Sequence, residues 1–281
     1  MDTYQAIQTR KKMTVDCRNC FALCCTALNI VASSDFAINK PAGIHCQNLN
    51  SDFRCQIHST LREKGFKGCT VYDCLGAGQH VSQYTFNGKS WREYPEIATK
   101  MYQVFPIVEQ LIEMKAFILE AFSYRLSPML YEQLVNQLNT IETLVNENAE
   151  VLLNIDTYEY QVPISELLSK ASNEIQRYLS KDVFHIPKGK NMSRKDFIGK
   201  NFANQDFRTY DLRGTYFIAA NLQNADLRGA NLIGVDLRDA NLNGANLSSS
   251  LFLTQMQVNS AKGNSKTILP AHIQQPPYWN I

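Results

Sequence analysis

An apolar residue returns every five positions along the last third of the chain. These residues are Phe197, Phe202, Phe207, Leu212, Phe217, Leu222, Leu227, Leu232, Leu237, Leu242, Leu247 and Phe252. The residue before the apolar one is Asp or Asn in ten of the twelve units. A step of five turns an α-helix by about 500° and sends successive side chains to opposite faces of a flat strand. Only a coil with one side per repeat turns them all inward, so the pattern predicts a solenoid.

Residues 95–185 show helical periodicity instead. One apolar stripe runs from Ile97 to Phe122 and contains Pro106, which predicts a kinked helix. Ser127-Pro128 predicts a capped second helix with proline at its first position. Pro163 is expected to open a third helix whose apolar face runs from Ile164 to Tyr178. The segment is therefore predicted to form a small helical bundle.

The first 94 residues are irregular and rich in glycine, with one short helix predicted from Ser59 until Gly65 stops it. The fold class that follows is a multidomain α plus β protein. We expect an irregular Cys-rich metal-binding domain over 1–94, a helical bundle over 95–185, and a β-helix over 186–281. In the last segment, the apolar residues 251–253 and 268–279 are expected to cap the open end of the column.

Charge is segregated along the chain although its net value is only +2. Lys and Arg outnumber Asp and Glu by 11 to 7 over residues 1–94 and by 11 to 6 over 186–281, whereas the middle segment has 6 against 13. No element concentrates basic and aromatic residues, so direct nucleic-acid binding is not expected. No run approaches the roughly 18 apolar residues of a membrane span, and the first residues lack a signal-peptide pattern. We therefore expect a cytoplasmic protein without membrane contact.

The candidate chemistry lies in the cysteines, all of which fall in one short segment. They are Cys17, Cys20, Cys24, Cys25, Cys46, Cys55, Cys69 and Cys74. Thiolates gathered in this way are typical of a metal or iron–sulfur site. Disulfides are the rival interpretation, but a cytosolic chain keeps its thiols reduced, and adjacent cysteines pair poorly with each other. We expect all eight to serve as metal ligands.

Spacing alone leaves the identity of the metal open between zinc and a [4Fe-4S] cluster, because tetrahedral thiolate sites suit both. It also leaves open two zinc ions, or one cluster plus spare thiols. His58 is the favoured histidine ligand, ahead of His45 and His80.

Known catalytic motifs are missing from the sequence. Gly88-Lys89-Ser90 has Gln83 where a phosphate loop needs glycine, and no serine stands in a nucleophile-elbow context. We assign no catalytic or cofactor-binding residue apart from the metal ligands.

Two resemblances add to this interpretation. The run Ala220-Asn221-Leu222, continued through Gly234, resembles pentapeptide-repeat proteins. That family implies a right-handed, four-sided β-helix with four repeats per coil. The CxxCxxxCC pattern from Cys17 to Cys25, with the later cysteines, resembles the YkgJ-like zinc- or iron-chelating domain. Flagellin lysine methylases have a similar cysteine pattern, which this resemblance links to an iron–sulfur cluster.

The combination of both modules is similar to bacillar proteins associated with resistance to oxetanocin A, a nucleoside analogue. The leading hypothesis is therefore a non-enzymatic metal-binding protein with a β-helical surface for a protein partner, acting in antibiotic resistance or self-protection. An iron–sulfur protein with redox or modifying activity is the alternative, and a homodimer through the apolar C-terminal end is left open. A gyrase-protecting DNA mimic is a second alternative, but the repeat tract 195–254 has six basic and six acidic residues rather than a negative column.

Overall fold

The computed structural model describes residues 3–280 and contains nine α-helices over that range. They are α1 (Thr3–Lys12), α2 (Leu23–Thr26), α3 (Lys67–Val71), α4 (Ala77–His80), α5 (Ala98–Ala121), α6 (Pro128–Val145), α7 (Ala149–Leu152), α8 (Thr157–Tyr178) and α9 (Gln255–Ser260). Short 3-10 segments are His58–Thr60, Pro95–Ile97 and Pro277–Asn280, and π-helical turns are Val81–Thr85 and Leu179–Val183.

The chain divides into two compact units. One unit combines the described residues up to Lys11, Leu119–Tyr131 and the described residues from Glu166 onward. The other contains Lys12–Ile118 and Glu132–Ser165, and therefore all eight cysteines. The division at residues 94 and 185 stays a prediction.

The repeat tract of the first unit forms a four-sided β-helix. Parallel backbone bridges join residues twenty positions apart, from Asn191 with Asp211 to Asn231 with Leu251, so four five-residue repeats make one coil. Within residues 3–280 these contacts are isolated bridges, and no continuous strand forms. The reason is that each side of the coil is only five residues long and ends in a turn.

Most corners of the coil use the same local chemistry. The Asp or Asn before the inward apolar residue accepts a hydrogen bond from the backbone amide two residues on, as Asp226 does from Arg228 N (3.2 Å). The carbonyl of the apolar residue then accepts from the amide three residues on, as Phe197 does from Lys200 (3.1 Å). The intervening Gly199 has a φ of +64°, which is the arrangement of a type II turn.

The column is filled and closed as predicted. Central repeat residues such as Leu222 and Leu242 are fully buried, and the alanines two positions before them complete the same core. At the C-terminal end, α9 and the tail add Val258, Ile273 and Trp279 to this core. The indole Nε1 of Trp279 donates to Ala261 O (3.0 Å), which fixes the tail over the last coil.

The three predicted long helices are present, with two corrections. The third helix begins at Thr157 rather than at Pro163, because Asp156 caps it by accepting from Tyr158 N (3.0 Å). Its predicted inward residue Tyr178 is 44% exposed, since Leu179, four residues after Ile175, takes the next inward position.

The stripe predicted from Ile97 to Phe122 is buried from Met101 onward, and Pro106 lies inside α5 as expected. The helix predicted from Ser59 is wrong: only the 3-10 turn His58–Thr60 forms before Gly65. No helix among the described residues combines the length and apolar character that a membrane crossing requires.

Candidate metal centre in the cysteine-rich segment

All eight cysteines carry free thiols, and they lie in short irregular pieces of one compact unit. Cys46 and Cys74 are buried, Cys17 and Cys69 are exposed, and the other four are partly buried. Free thiols at these depths suit metal ligation, because ligand atoms need both a protected interior and a path for the ion.

Cys20 and Cys74 approach each other across the glycine of α4. A Cβ atom on Gly78 would lie 2.7 Å from Cys20 Sγ and 3.7 Å from Cys74 Sγ, so only glycine leaves these sulfurs their space. Ser82 fixes the same region, since its Oγ accepts from Phe21 N (3.0 Å) and donates to Gly78 O (2.8 Å). Nearby, Gln79 Oε1 accepts from Asp16 N (3.0 Å), which places the residue before Cys17 on α4.

A second set of contacts surrounds Cys25. The amide of Cys46 donates to Cys25 O (3.0 Å), and Cys46 O accepts from Leu49 N (3.0 Å). Leu49 in turn pairs with Cys55 in an antiparallel bridge. The backbone therefore holds Cys25, Cys46 and Cys55 on one small loop system. Cys24 Sγ and Cys25 Sγ lie 4.0 Å apart at the junction of the two regions.

Burial and mutual repulsion raise the pKa of most of these thiols. Burial raises the pKa of Cys74 to about 11, and burial together with the charges of Cys25, Cys46 and Cys55 raises that of Cys69 to about 12. The pKa of Cys25 is instead lowered, first by its hydrogen bond with Cys24 and then by the ammonium of Lys40, against the effect of burial. A bound cation would compensate the charge that these thiolates develop together.

Lys40 is a buried cation beside the thiols that sequence reasoning missed. Its side chain is enclosed (3% exposed), and the three N–H groups of Nζ are shared among four backbone carbonyls, those of Thr26, Leu28, Pro41 and Ile44, at 2.5–3.2 Å. Burial lowers its pKa, and the charges of Cys46, Cys25 and Cys24 oppose that shift. No local pattern marks this lysine, because its partners are carbonyl groups, which every residue has.

A phenol–carboxylate pair borders the cysteines on another side and was also missed. Tyr72 donates its hydroxyl proton to Glu109 Oε1 (2.5 Å), and burial raises the pKa of both groups. The charges of Cys74 and Cys24 contribute further to the shift of Tyr72. The two residues are 37 positions apart, so no spacing rule connects them in the sequence.

The three histidines within residues 1–94 occupy different environments. His58 is exposed on the turn after Cys55, and His45 stacks on Trp91 with ring centroids 6.1 Å apart. His80 has a structural contact, since its Nε2 lies 2.9 Å from Val145 O. Over residues 3–280, no three or more His, Cys, Asp or Glu side chains already converge as a metal ion would require. Ligation by the eight cysteines and His58 therefore stays a prediction.

The outer wall of the β-helix carries alternating charge. Asp206, Asp226 and Asp236 each accept two or more hydrogen bonds from the guanidinium two residues later, as in the pair Arg228 Nη2 to Asp226 Oδ2 (2.6 Å). Arg208 also lies 3.6 Å from Asp226 on the next coil, and both Arg208 and Arg228 stack on Phe184. The wall thus has paired charges and no strong negative field.

Known proteins share features with this chain at two levels. The family model for pentapeptide repeats matches residues 211–248 in eight copies. The uncharacterized protein YybG of Bacillus subtilis is 44% identical over 268 residues, which cover 95% of this chain and 95% of YybG.

Solved structures match over shorter stretches. A pentapeptide repeat protein from the cyanobacterium Cyanothece 51142 is 27% identical, with a TM-score of 0.23, over 28% of this chain and 56% of that one. HetL of Nostoc sp. strain PCC 7120 is 22% identical, with a TM-score of 0.23, over 31% of this chain and 37% of HetL. The matched region is thus less than two thirds of either cyanobacterial protein.

The family assignment follows from the near full-length relative and the eight matched repeats. The chain belongs to the pentapeptide-repeat proteins, in the same family as YybG of Bacillus subtilis.

Proposed function

We propose that this protein binds zinc or an iron–sulfur cluster through its cysteine-rich segment and presents the β-helix to a protein partner. The observation that carries the proposal is the gathering of eight free thiols in one compact unit, beside the buried ammonium of Lys40. Cysteine thiolates would hold the ion, and His58 is the candidate nitrogen ligand. Zinc would supply structural stability, whereas a cluster would supply electron transfer.

The test is to purify the full chain without oxygen and to measure zinc, iron and acid-labile sulfide per chain. We expect stoichiometric metal, together with fewer thiols reactive toward a thiol reagent than the eight counted after the metal is removed. A colourless zinc protein favours the structural role. Iron and sulfide together favour the alternative, a redox or modifying protein. A metal-free chain with eight reactive thiols contradicts both forms of the proposal.

The β-helix is the proposed contact for a partner of mixed charge. The paired Asp and Arg residues on its wall support a surface that a partner recognises by hydrogen bonds rather than by net charge. A DNA mimic that protects gyrase needs a negative column, so we do not propose that role. Supercoiling by gyrase is expected to be unchanged at micromolar protein, and inhibition or protection would reverse this choice.

Antibiotic resistance or self-protection is the setting that we propose for the metal module. Its support is the resemblance of the two-module arrangement to proteins associated with oxetanocin A resistance. Bacteria expressing the full chain are expected to tolerate more oxetanocin A than bacteria expressing a variant with Cys20→Ser and Cys74→Ser. Equal sensitivity of the two strains would remove this setting and leave metal binding intact.

A further inference from the structure

We infer that the eight cysteines form two separate four-thiol centres. The first consists of Cys17, Cys20, Cys24 and Cys74, and the second consists of Cys25, Cys46, Cys55 and Cys69. This inference rests on the proposed metal binding and resolves how the thiols divide, which their spacing in the sequence does not.

The first centre is built between the stretch that begins at Asp16 and the start of α4. Cys20 Sγ and Cys74 Sγ both lie next to Gly78. Gln79 anchors Asp16, next to Cys17, by accepting from its amide, and Gln79 Nε2 donates to Thr14 O (2.7 Å). Gly78 and Gln79 both belong to α4, which follows Cys74 closely in the chain. This helix therefore positions Cys17, Cys20 and Cys74 relative to one another.

The second centre is built on the loop that Cys25 closes. The hydrogen bond from Cys46 N to Cys25 O and the bridge between Leu49 and Cys55 bring three thiols into one loop system. Cys69 completes the set from α3. Burial raises its pKa, and the next causes are the charges of Cys25, Cys46 and Cys55, which are the other three members of this centre.

The adjacent pair is divided between the two centres by helical geometry. Cys24 and Cys25 are consecutive residues of α2, and successive side chains on an α-helix diverge by about 100°. We assign one thiol to each centre, and the two sulfurs, 4.0 Å apart, mark where the centres adjoin. Lys40 lies at this boundary, because its ammonium interacts with Cys24, Cys25 and Cys46.

Electrostatic neighbours agree with this division. The pKa of Cys24 is raised first by its hydrogen bond to Cys25 and by burial, and then by the charges of Cys25, Cys20 and Cys74. That of Cys55 is raised by burial and then by Cys25 and Cys46. Within the first group, burial and the charge of Cys17 raise the pKa of Cys20, and burial and the charge of Cys20 raise that of Cys74. Cys25 is the exception, because its charge, together with burial, also raises the pKa of Cys17 and of Cys24 in the other group. Four thiolates are the full complement of one zinc ion or one cluster, so this division leaves no ligand position for His58.

The first test compares pairs of substitutions by metal content per full chain, purified without oxygen. The pair Cys20→Ser with Cys74→Ser removes two ligands from the first centre, and Cys55→Ser with Cys69→Ser removes two from the second. We expect each pair to lose half of the metal and to retain the other half at unchanged affinity. The crossed pair Cys20→Ser with Cys55→Ser is the matched control, and it is expected to weaken both halves.

The second test uses the unaltered chain, so that it does not depend on the folding of variants. The metal is removed under reducing conditions, cadmium is added, and the cadmium NMR spectrum is recorded. Two resonances from thiolate-only sites are expected. A single resonance here, or in the first test one pair that loses all metal while the other loses none, overturns the division but leaves metal binding standing. An unaltered chain that binds neither its own metal nor cadmium overturns the proposed function itself.

Discussion

At the scale of single residues, the cysteine-rich unit depends on individual residues that stabilise its irregular backbone. Segments without regular helix or strand leave carbonyl groups unpaired, and a buried carbonyl without a partner is costly. Lys40 satisfies four of them with one ammonium group, and its charge also faces the thiols. Gly78 acts by what it lacks, since a side chain there would occupy the space of two sulfurs.

Replacing Lys40 by methionine is expected to destabilise the cysteine-rich unit by at least about 1–3 kcal/mol, because buried carbonyls lose their donor. The measurement is urea unfolding followed by the fluorescence of Trp91, in a Trp279→Phe background that leaves one tryptophan. Lys64→Met, at an exposed lysine, is the control and should change stability little. Equal effects of the two substitutions would show that the four hydrogen bonds contribute nothing net.

Replacing Gly78 by alanine is expected to displace Cys20 Sγ, because the new Cβ would lie 2.7 Å from it. The first of the two proposed centres should lose affinity for its metal, while the second keeps its own. Gly88→Ala is the control for backbone strain: its φ of +72° strains alanine, but the new Cβ approaches no sulfur and meets only the side chain of Gln83, at 3.6 Å. Metal titration of the full chain checks the outcome, and an unchanged first centre would contradict the proposed position of Cys20.

At the scale of elements, the β-helix shows why some of the structure could be predicted from the sequence and some could not. Each repeat encodes its own inward residue and its own corner, so the five-residue period predicted the coil directly. The start of α8 was misplaced because Asp156, a local cap, precedes the proline that seemed to mark it. Lys40 and the Tyr72–Glu109 pair were missed because their contacts join residues far apart in the chain or backbone groups that carry no sequence signal.

Truncation inside the column should cost far more than truncation on its wall. Leu222→Ala removes a fully buried side chain from the central coil, and we expect a loss of about 2–5 kcal/mol, which includes the cavity left behind. Ile198→Ala is the matched control on the outside of the coil, where the side chain is 50% exposed. Urea unfolding followed by Trp279 fluorescence in a Trp91→Phe background measures both. Similar losses for the two variants would refute the inward packing of the repeats.

At the scale of the whole compact unit that contains the β-helix, a buried acid and a buried histidine link three distant parts of the chain. Glu120 of α5 accepts a hydrogen bond from Phe252 N (2.5 Å), and its other oxygen lies 3.5 Å from Nε2 of His272 in the tail. Burial raises the pKa of Glu120 to about 7, against the influence of Arg10. Burial, Arg10 and Lys11 lower the pKa of His272 to about 4. Both groups are therefore neutral in the folded protein near pH 5.5.

This pair predicts opposite pH dependences for two single variants. Between about pH 4.5 and 6.5 the unfolded chain carries the proton on the histidine, whereas the folded chain carries it on Glu120. The number of bound protons is then the same, so the pair adds little slope to the stability of the unaltered protein. In Glu120→Gln only the lowered pKa of His272 remains, and stability should rise with pH through this window. In His272→Gln only the raised pKa of Glu120 remains, and stability should fall.

Each slope should amount to about 2–3 kcal/mol over two pH units, since one proton contributes about 1.4 kcal/mol per unit. This pH window lies above the ordinary pKa of the aspartates on the outer wall of the β-helix. Protonation of those aspartates therefore does not contribute to the slopes. Urea midpoints from Trp279 fluorescence at several pH values measure the slopes, with His185→Gln as a control at an exposed histidine. If both variants kept the slope of the unaltered protein, the two groups would have to titrate normally, and the neutral buried pair would be wrong. Slopes of opposite sign in the two variants, together with a flat profile for the unaltered protein, require the transfer of a proton from histidine to glutamate on folding.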